Sequence, residues 1–392
     1  MKIAIVHDYI KEYGGAERVL ESLHNVFPNA PIYTSVYLPS YLGPHRSRFE
    51  NWDIKTSWAQ YLPFKAKLIS PLRVIAPILF KSFDFSKFDA VIVSATGAYS
   101  SNGIKKGNAV QICYCHTPPR YLYGYETARN WKKNILVRII GNLSIHFLRI
   151  IDHRSSQNVD YFIANSNETK RRIEKFYRKD ATVIYPPVSL ASSVQLKDQK
   201  LNANSLDARR YYLAGGRMAR AKHTDLIIRT FLKNGLPLKI FGKGFAGFEE
   251  ELKQLILRAN ERESRSRKQF STSSNSNIEF LGEVNDEEKN ELMAGAKAFV
   301  FASEDEDFGI IPVEAMMSGT PVIAHRSGGV LETVVEGKTG LFFDEFSIES
   351  LNNAIKKFER TKFDLAEIKQ HAQKFSRERF EKEIRDFVSK LT

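Results

Sequence analysis

The stretch AFVFASEDEDFGIIPVEAMMSGTPVIA, Ala298 to Ala324, sets an apolar run, an acidic turn with one glycine, a short helical run and a second apolar run in that order. Strand, loop, helix and strand in succession is the repeat of a parallel sheet covered on both faces. Glu306 and Glu314 stand eight positions apart inside it. The first falls in the loop at a strand's C-terminal edge and the second one to two turns into the helix, so both are placed to face one crevice. Such edges, with a glycine loop leading into a helix N-terminus, aim polar groups at phosphorylated ligands.

Reading outward, the same alternation fills the chain. YYLAGG, LKIFGKG, IEFLGEV, AFVFAS and PVIAHR give five strands in the second half. In the first half KIAIVHDY, APIYTSVY, AVIVSA, AVQICYCH and YFIANS do the same, with GGAERVLESLHNVF as the first helix. A chain of 392 residues, 43% hydrophobic, is too long for one ordinary core and predicts two α/β domains. The boundary is expected after VIYPPV, giving domains at 1–188 and 189–374, with Ser189–Arg209 as a polar linker. The low-complexity tract Glu261–Asn277 predicts an exposed, mobile loop. The C-terminal run 375–392 carries Phe375, Phe380, Ile384, Phe387 and Val388 near helical spacing, so it predicts a helix packing back on the first domain.

The net charge of +13 is unevenly spread. Residues 1–190 hold 26 Lys and Arg against 14 Asp and Glu, whereas the remainder holds 32 against 31. The first half therefore meets an anionic partner: phosphate, nucleic acid or lipid head groups. Ile54–Phe83 mixes Lys55, Lys65, Lys67, Arg73 and Lys81 with Trp58, Tyr61 and Phe64 and has no acidic residue, a composition suited to the interface of an anionic bilayer. Arg129–Arg154 is a second basic, helix-periodic stretch; both also read as amphipathic core helices with solvated lysines. No apolar run nears the roughly 18 residues that span a bilayer, and the chain enters a strand at once, which predicts a cytoplasmic protein. Cys113 and Cys115 lie on one face of a strand, too close for an ordinary disulfide. With His116 they form a conceivable metal clasp, but no second ligand cluster is near, and buried free cysteines fit better.

Several segments together resemble the retaining glycosyltransferases of family 4, which have the GT-B architecture: HDYIKEYGGAERVLESL, CYCHTPPRYLY, YFIANSNETKRRIEKFY, VIYPPV, GGRMARAKHTDLIIRTF, FLGEV, EDFGIIPVEAMMSGTPVIA and SGGVLETVVEGKTGLFF. Among them CHTPPRYLY, VIYPPV and EDFGIIPVEA are similar to bacterial mannosyltransferases that assemble surface polysaccharide and lipopolysaccharide. The resemblance implies two Rossmann-like doubly wound domains facing each other across a cleft. It also implies a nucleotide-diphosphate sugar donor, GDP-mannose in the nearest-looking relatives, and a lipid-linked glycan acceptor reached by peripheral association with the inner face of the cytoplasmic membrane.

Transfer from such a donor needs cations against the charge building on the leaving diphosphate. Arg217 and Lys222 follow the strand YYLAGG, and the resemblance assigns them to the diphosphate. It places Glu306 at the donor sugar hydroxyls and Glu314 on the nucleotide ribose, with backbone N–H groups of Phe308, Gly309 and Ile310 at the sugar. His116 is assigned to transition-state hydrogen bonding, Arg120 and Tyr121 to the acceptor side, and Gly14 and Gly15 to close approach of acceptor or diphosphate to a helix N-terminus. The resemblance puts Gly242, in the loop FGKGF, beside the donor and makes Val284 a candidate for backbone contact to the nucleobase. No nucleophile is evident, so same-face substitution is expected, the leaving phosphate taking the acceptor's proton.

Asp305-Glu306-Asp307 is also a DxD, the metal signature of the other major glycosyltransferase architecture. The two-lobed layout opposes it, and no divalent metal or other cofactor is expected. Other classes compete: a UDP-sugar donor, a sugar-nucleotide epimerase or hydrolase, a basic nucleic-acid-binding protein and an NAD-dependent oxidoreductase. No nucleic-acid motif accompanies the basic residues, so no nucleic-acid partner is expected. The dinucleotide fingerprint is incomplete, with only Gly242 and Gly244 as a G-x-G.

Overall fold

In a computed structural model, residues 1–125, 135–190, 209, 211–245, 247–266 and 277–391 are described. The chain divides into two units, Met1–Pro187 with Arg377–Thr392, and Val188–Ser376.

The first unit holds a parallel sheet in the order β3-β2-β1-β4-β5-β6-β7. Its strands are β1 (Ile3–His7), β2 (Ile32–Thr34), β3 (Ile54–Thr56), β4 (Ala90–Ala95), β5 (Val110–Cys115), β6 (Tyr161–Ala164) and β7 (Thr182–Val183). Strand alternation sends Ala4, Val6, Val91, Val93, Cys113 and Cys115 into one core layer and Ile3, Ile5, Ile92 and Ile112 into the other. The second layer is closed by Val19, Leu20 and Leu23 of the helix Gly15–Val26. Phe380, Ile384 and Val388 of the C-terminal helix Arg377–Ser389 join them. Each of these three buried side chains contributes about 1.5–3 kcal/mol. The helix Asn167–Tyr177 is fixed at its start by Ser166 Oγ, which accepts the Thr169 N–H at 3.0 Å, and stops at Arg178, whose φ is 54°.

The second unit repeats the plan as β10-β9-β8-β11-β12-β13. These strands are β8 (Tyr211–Gly215), β9 (Leu238–Phe241), β10 (Ile278–Gly282), β11 (Ala296–Phe301), β12 (Val322–His325) and β13 (Gly340–Phe343). In each sheet the order reverses direction once, between β1 and β4 and between β8 and β11. The crevice beyond the C-terminal ends of such a strand pair is where open α/β sheets place ligands.

Four expectations change. Ile54–Thr56 is an edge strand inside the stretch read as an amphipathic surface, and Gly340–Phe343 adds a sixth strand where five were expected in the second half. The C-terminal helix begins at Arg377, while Phe375 stays with the second unit and packs on Phe308, ring centroids 5.6 Å apart. Glu261–Ser266 of the expected mobile loop continue the helix Phe248–Ser266. The rest of that tract (267–276), the linker segment 191–208 and residues 129–134 of the second basic stretch lie outside the described residues.

Candidate active site

In the second unit the loops after β8 and β11 are tied together by backbone. A single 3-10 turn, Arg220–Lys222, follows β8, and Glu304 N donates to Ala221 O at 2.9 Å. This stitch sets Lys222 against Glu306, and their side chains form an ion pair supported by Ser303 Oγ, which donates to Glu306 at 2.6 Å. Burial pushes the Glu306 carboxyl up, but the Lys222 ammonium, by charge and hydrogen bond, and the Ser303 hydroxyl hold it below the usual carboxylate range. Lys222 also stands 5.3 Å from the centroid of the Phe301 ring. A small cavity here is lined by Arg217, Met218, Lys222, Thr224, Phe301 and Ile311. Arg217 itself is exposed.

Glycine makes the close approaches possible. Gly242 has φ 120°, and a Cβ there would lie 1.9 Å from Gly216 O. Only glycine lets the ends of β8 and β9 touch in this way. Its N–H donates to Gly282 O at 2.6 Å, and Met218 N donates to Lys243 O at 3.0 Å, so the FGKGF loop lies directly on the loop that carries Arg217. Gly328 has φ 64°, and a Cβ on it would meet Glu306 O at 2.3 Å, while Gly329 N donates to that same oxygen at 2.7 Å. The Ser-Gly-Gly turn after β12 thus clamps the Glu306 loop.

Gly309, at φ 90°, caps the helix Ile310–Met317, and the Phe308 side chain is buried beneath it. Glu314 in that helix is only 3% exposed and pairs with Lys289 of the helix Asp286–Gly295, Nζ to Oε1 2.8 Å. Like Glu306, Glu314 is engaged by an ammonium within the protein, and its side chain is more enclosed, 3% exposed against 17%. Val284 follows Gly282 at the end of β10, two strands from β8.

In the first unit His116 directly follows β5 and lies 2.9 Å, through Nε2, from Ser94 Oγ. The ring is edge-on to Tyr114 at 5.2 Å, and its carbonyl accepts from Thr169 Oγ1 at 3.2 Å. Gly14 N donates to Glu17 Oε2 at 2.9 Å, and Gly15 opens the first helix. Arg120 opens the short helix Arg120–Tyr123. Beside it the Arg73 guanidinium lies over the Tyr121 ring at 4.3 Å. Asp8 is fully buried next to His7: burial pushes its carboxyl up, against hydrogen bonds from Thr96 and the Tyr99 N–H.

The structure therefore joins Arg217, Lys222, Glu306, Gly242 and Gly309 around the ends of β8, β9 and β11, and links Gly14 to His116 through Glu17, His7 and Ser94. Sequence reasoning did not select Ser303, Lys289, Gly328, Gly329, His7 or Ser94. The Gly-Gly pair was a visible turn signal, whereas His7 and Ser94 are lone polar residues in apolar strands and carry none.

The two doubly wound sheets, each with one switch point, are matched by two family models. Residues 13–192 match Glycosyltransferase Family 4 and residues 197–377 match Glycosyl transferases group 1. The chain belongs to the family 4 glycosyltransferases, with the GT-B fold. It is 26% identical to the alpha-1,3/1,6-mannosyltransferase ALG2 of Dictyostelium discoideum, over 91% of this chain and 89% of that protein. Against the Saccharomyces cerevisiae enzyme of the same name it is 29% identical over 58% of this chain, and the match spans 48% of that protein. Among solved structures, Anabaena Alr3699/HepE in complex with UDP and glucose superposes with a TM-score of 0.67 at 17% identity, over 100% of both chains. WaaG, a glycosyltransferase involved in lipopolysaccharide biosynthesis, gives 0.60 at 14% identity over 98% of this chain and 99% of that one.

Proposed function

We propose that this glycosyltransferase moves a mannosyl residue from GDP-mannose to a lipid-linked glycan in cell-surface polysaccharide or glycolipid assembly, with retention of anomeric configuration and without a divalent metal. The Lys222–Glu306 pair carries the reading: a cation next to a carboxylate at the sheet's switch point offers one group to a diphosphate and the other to sugar hydroxyls. The mannosyl choice is supported by the relatives named mannosyltransferases.

Arg217 and Lys222 offset charge on the leaving diphosphate. Gly309 and Ile310 bring the helix N-terminus to the sugar, and Glu314 serves the ribose once Lys289 yields one of its oxygens. Lys222 occupies Glu306, the central residue of the DxD, which supports cation chemistry supplied by the protein. Activity should survive EDTA; loss of turnover restored by manganese would overturn this part. The donor is tested by thermal shift with GDP, UDP and ADP and their sugars, where the true donor raises the melting temperature by mass action. Transfer to a polyprenyl-diphosphate glycan, with the product configuration read by NMR, tests the rest; an inverted product removes the same-face mechanism.

The acceptor's lipid places the first unit at an anionic membrane on the inner face of the cytoplasmic membrane. Among the described residues no helix is long and apolar enough to cross a bilayer. Tyr61 is 86% and Phe64 77% exposed, with Trp58, Val74 and Ile78 also exposed and Lys67 and Lys81 among them. Phe64, at the N-cap of the helix Lys65–Leu72, has φ 57°, an uncommon conformation for an aromatic residue. Co-sedimentation with anionic but not neutral vesicles is the expected result.

A further inference from the structure

We propose that His7 and Ser94, oriented by the charge of the nearby Glu17 carboxylate, set the tautomer of His116, holding its proton on Nε2 and its acceptor lone pair on Nδ1. The inference rests on the reading of His116 as the imidazole that meets a substrate hydroxyl, and makes His7, Ser94 and Glu17 positioning residues for it.

The sheet register builds the arrangement. His7 of β1 is paired with Ser94 of β4, and Ser94 with Tyr114 of β5. His116, two residues beyond Tyr114, returns to the same face, so three polar side chains line up along the C-terminal edge. His7 Nδ1 is 3.1 Å from Ser94 Oγ, and the same oxygen is 2.9 Å from His116 Nε2. On the other side of His7, Nε2 lies 3.7 Å from Glu17 Oε1. His7 and Ser94 are fully buried and Glu17 nearly so.

One hydroxyl between two imidazoles has a single proton, so it donates to one ring and accepts from the other. Glu17 decides which. Its other oxygen is already fixed by the Gly14 N–H, which turns the carboxylate toward His7. A bare nitrogen lone pair facing it across 3.7 Å would be repelled, whereas an N–H is attracted in a site without solvent screening. With a single ring proton, His7 carries it on Nε2 and accepts on Nδ1. Ser94 donates to His7, and its lone pair accepts the His116 Nε2–H. His116 is left with Nδ1 as the ring's acceptor, suited to a hydroxyl that donates and unsuited to a phosphate oxygen. Because Glu17 also holds the Gly14 N–H, the glycine turn and the imidazole are set by one carboxylate.

The test is ring ¹⁵N NMR on the full chain labelled at histidine, with His116 assigned by the loss of its signals in His116→Asn. The expected wild-type pattern is Nε2–H for His116. In Ser94→Ala and in Glu17→Gln it becomes a mixture of tautomers, and Ser94→Thr, which keeps the hydroxyl, restores it. With GDP-mannose as the probe, Ser94→Ala lowers kcat roughly tenfold with KM changed less than about twofold, and Ser94→Thr recovers it. An Nδ1–H pattern in the wild type, the signature of a doubly protonated His7 and reversed hydrogen bonds at Ser94, overturns the proposal. So does a pattern unchanged in Ser94→Ala and Glu17→Gln. The wild-type spectrum alone decides the direction, so a variant that misfolds does not remove the test. The reading of His116 fails separately, if His116→Ala turns over GDP-mannose like the wild type while the wild-type spectrum shows Nε2–H.

Discussion

Both sheets bring the loops after two neighbouring strands together at a switch point, yet the two edges are opposite in electrostatic character. At the first, β1 ends in His7 with Asp8 directly after it, β4 carries Ser94 near its end, and the fully buried Asp8 carboxyl is pushed up because burial outweighs its hydrogen bonds. At the second, β8 and β11 lead to Lys222 and Glu306, and the ammonium pulls a buried carboxyl down. The first edge is lined by imidazoles, a hydroxyl and carboxyl groups with no ammonium among them, the second by an ammonium paired to a carboxylate. The same topology is thus divided by residue choice alone into two chemistries.

The largest effect should come from Gly242→Ala. Its Cβ would stand 1.9 Å from a backbone oxygen at positive φ, so the second edge must distort. We expect a loss of about 4 kcal/mol or more in urea unfolding, read from probes in residues 188–376, with the first unit's transition less affected. Next, Lys222→Ala should lower transfer by about 10²–10³ while leaving the first edge's histidine spectrum unchanged. A comparable loss from a substitution at Asp8 would blur the distinction between the edges.

The pH response sharpens it further, because the two carboxyls have opposite signs. Glu306 binds its proton less readily folded than unfolded, so its contribution is complete above the ordinary value of 4.5 and is lost as the pH falls through the lower folded value. Asp8 binds its proton more readily folded, so its contribution is complete below its ordinary value of 3.8 and is lost as the pH rises through the raised one. Glu306→Gln should therefore cost stability at pH 6 and converge on the wild type in acid, while Asp8→Asn should gain on the wild type as the pH rises. Denaturation curves from pH 3.5 to 7.5 check both signs. The smallest effect is on folding by Tyr61→Ser with Phe64→Ser: within about 0.5 kcal/mol per site, since both are exposed. Binding to anionic vesicles should nevertheless drop.

The long apolar strands were legible because a strand buried on both faces reads as a run. β3 was not: IKT is three residues long, half-buried at a sheet edge, and embedded in a stretch whose lysines and aromatics dominate. In the site, Lys222 and Glu306 were legible as loop residues after strands, though their pairing needed the stitch from Glu304 to Ala221. Glu314 was located correctly in its helix, but its partner Lys289 sits 25 residues away on another helix, beyond any local pattern. His7 and Ser94 were invisible for a different reason. Their meeting depends on the register of β1 against β4, and register emerges only when the sheet is assembled.

The ion pair between Lys222 and Glu306 also makes donor capture an exchange of counter-ions. An ammonium already neutralised by a carboxylate exerts little pull on distant anions. A ligand must supply both a replacement anion for Lys222 and hydroxyl donors for the released Glu306. Inorganic phosphate offers the first without the second, and a free sugar the second without the first. Under the proposed function, only a molecule that joins the two closes the circuit, so the pair would act as a coincidence detector for glycosyl diphosphates.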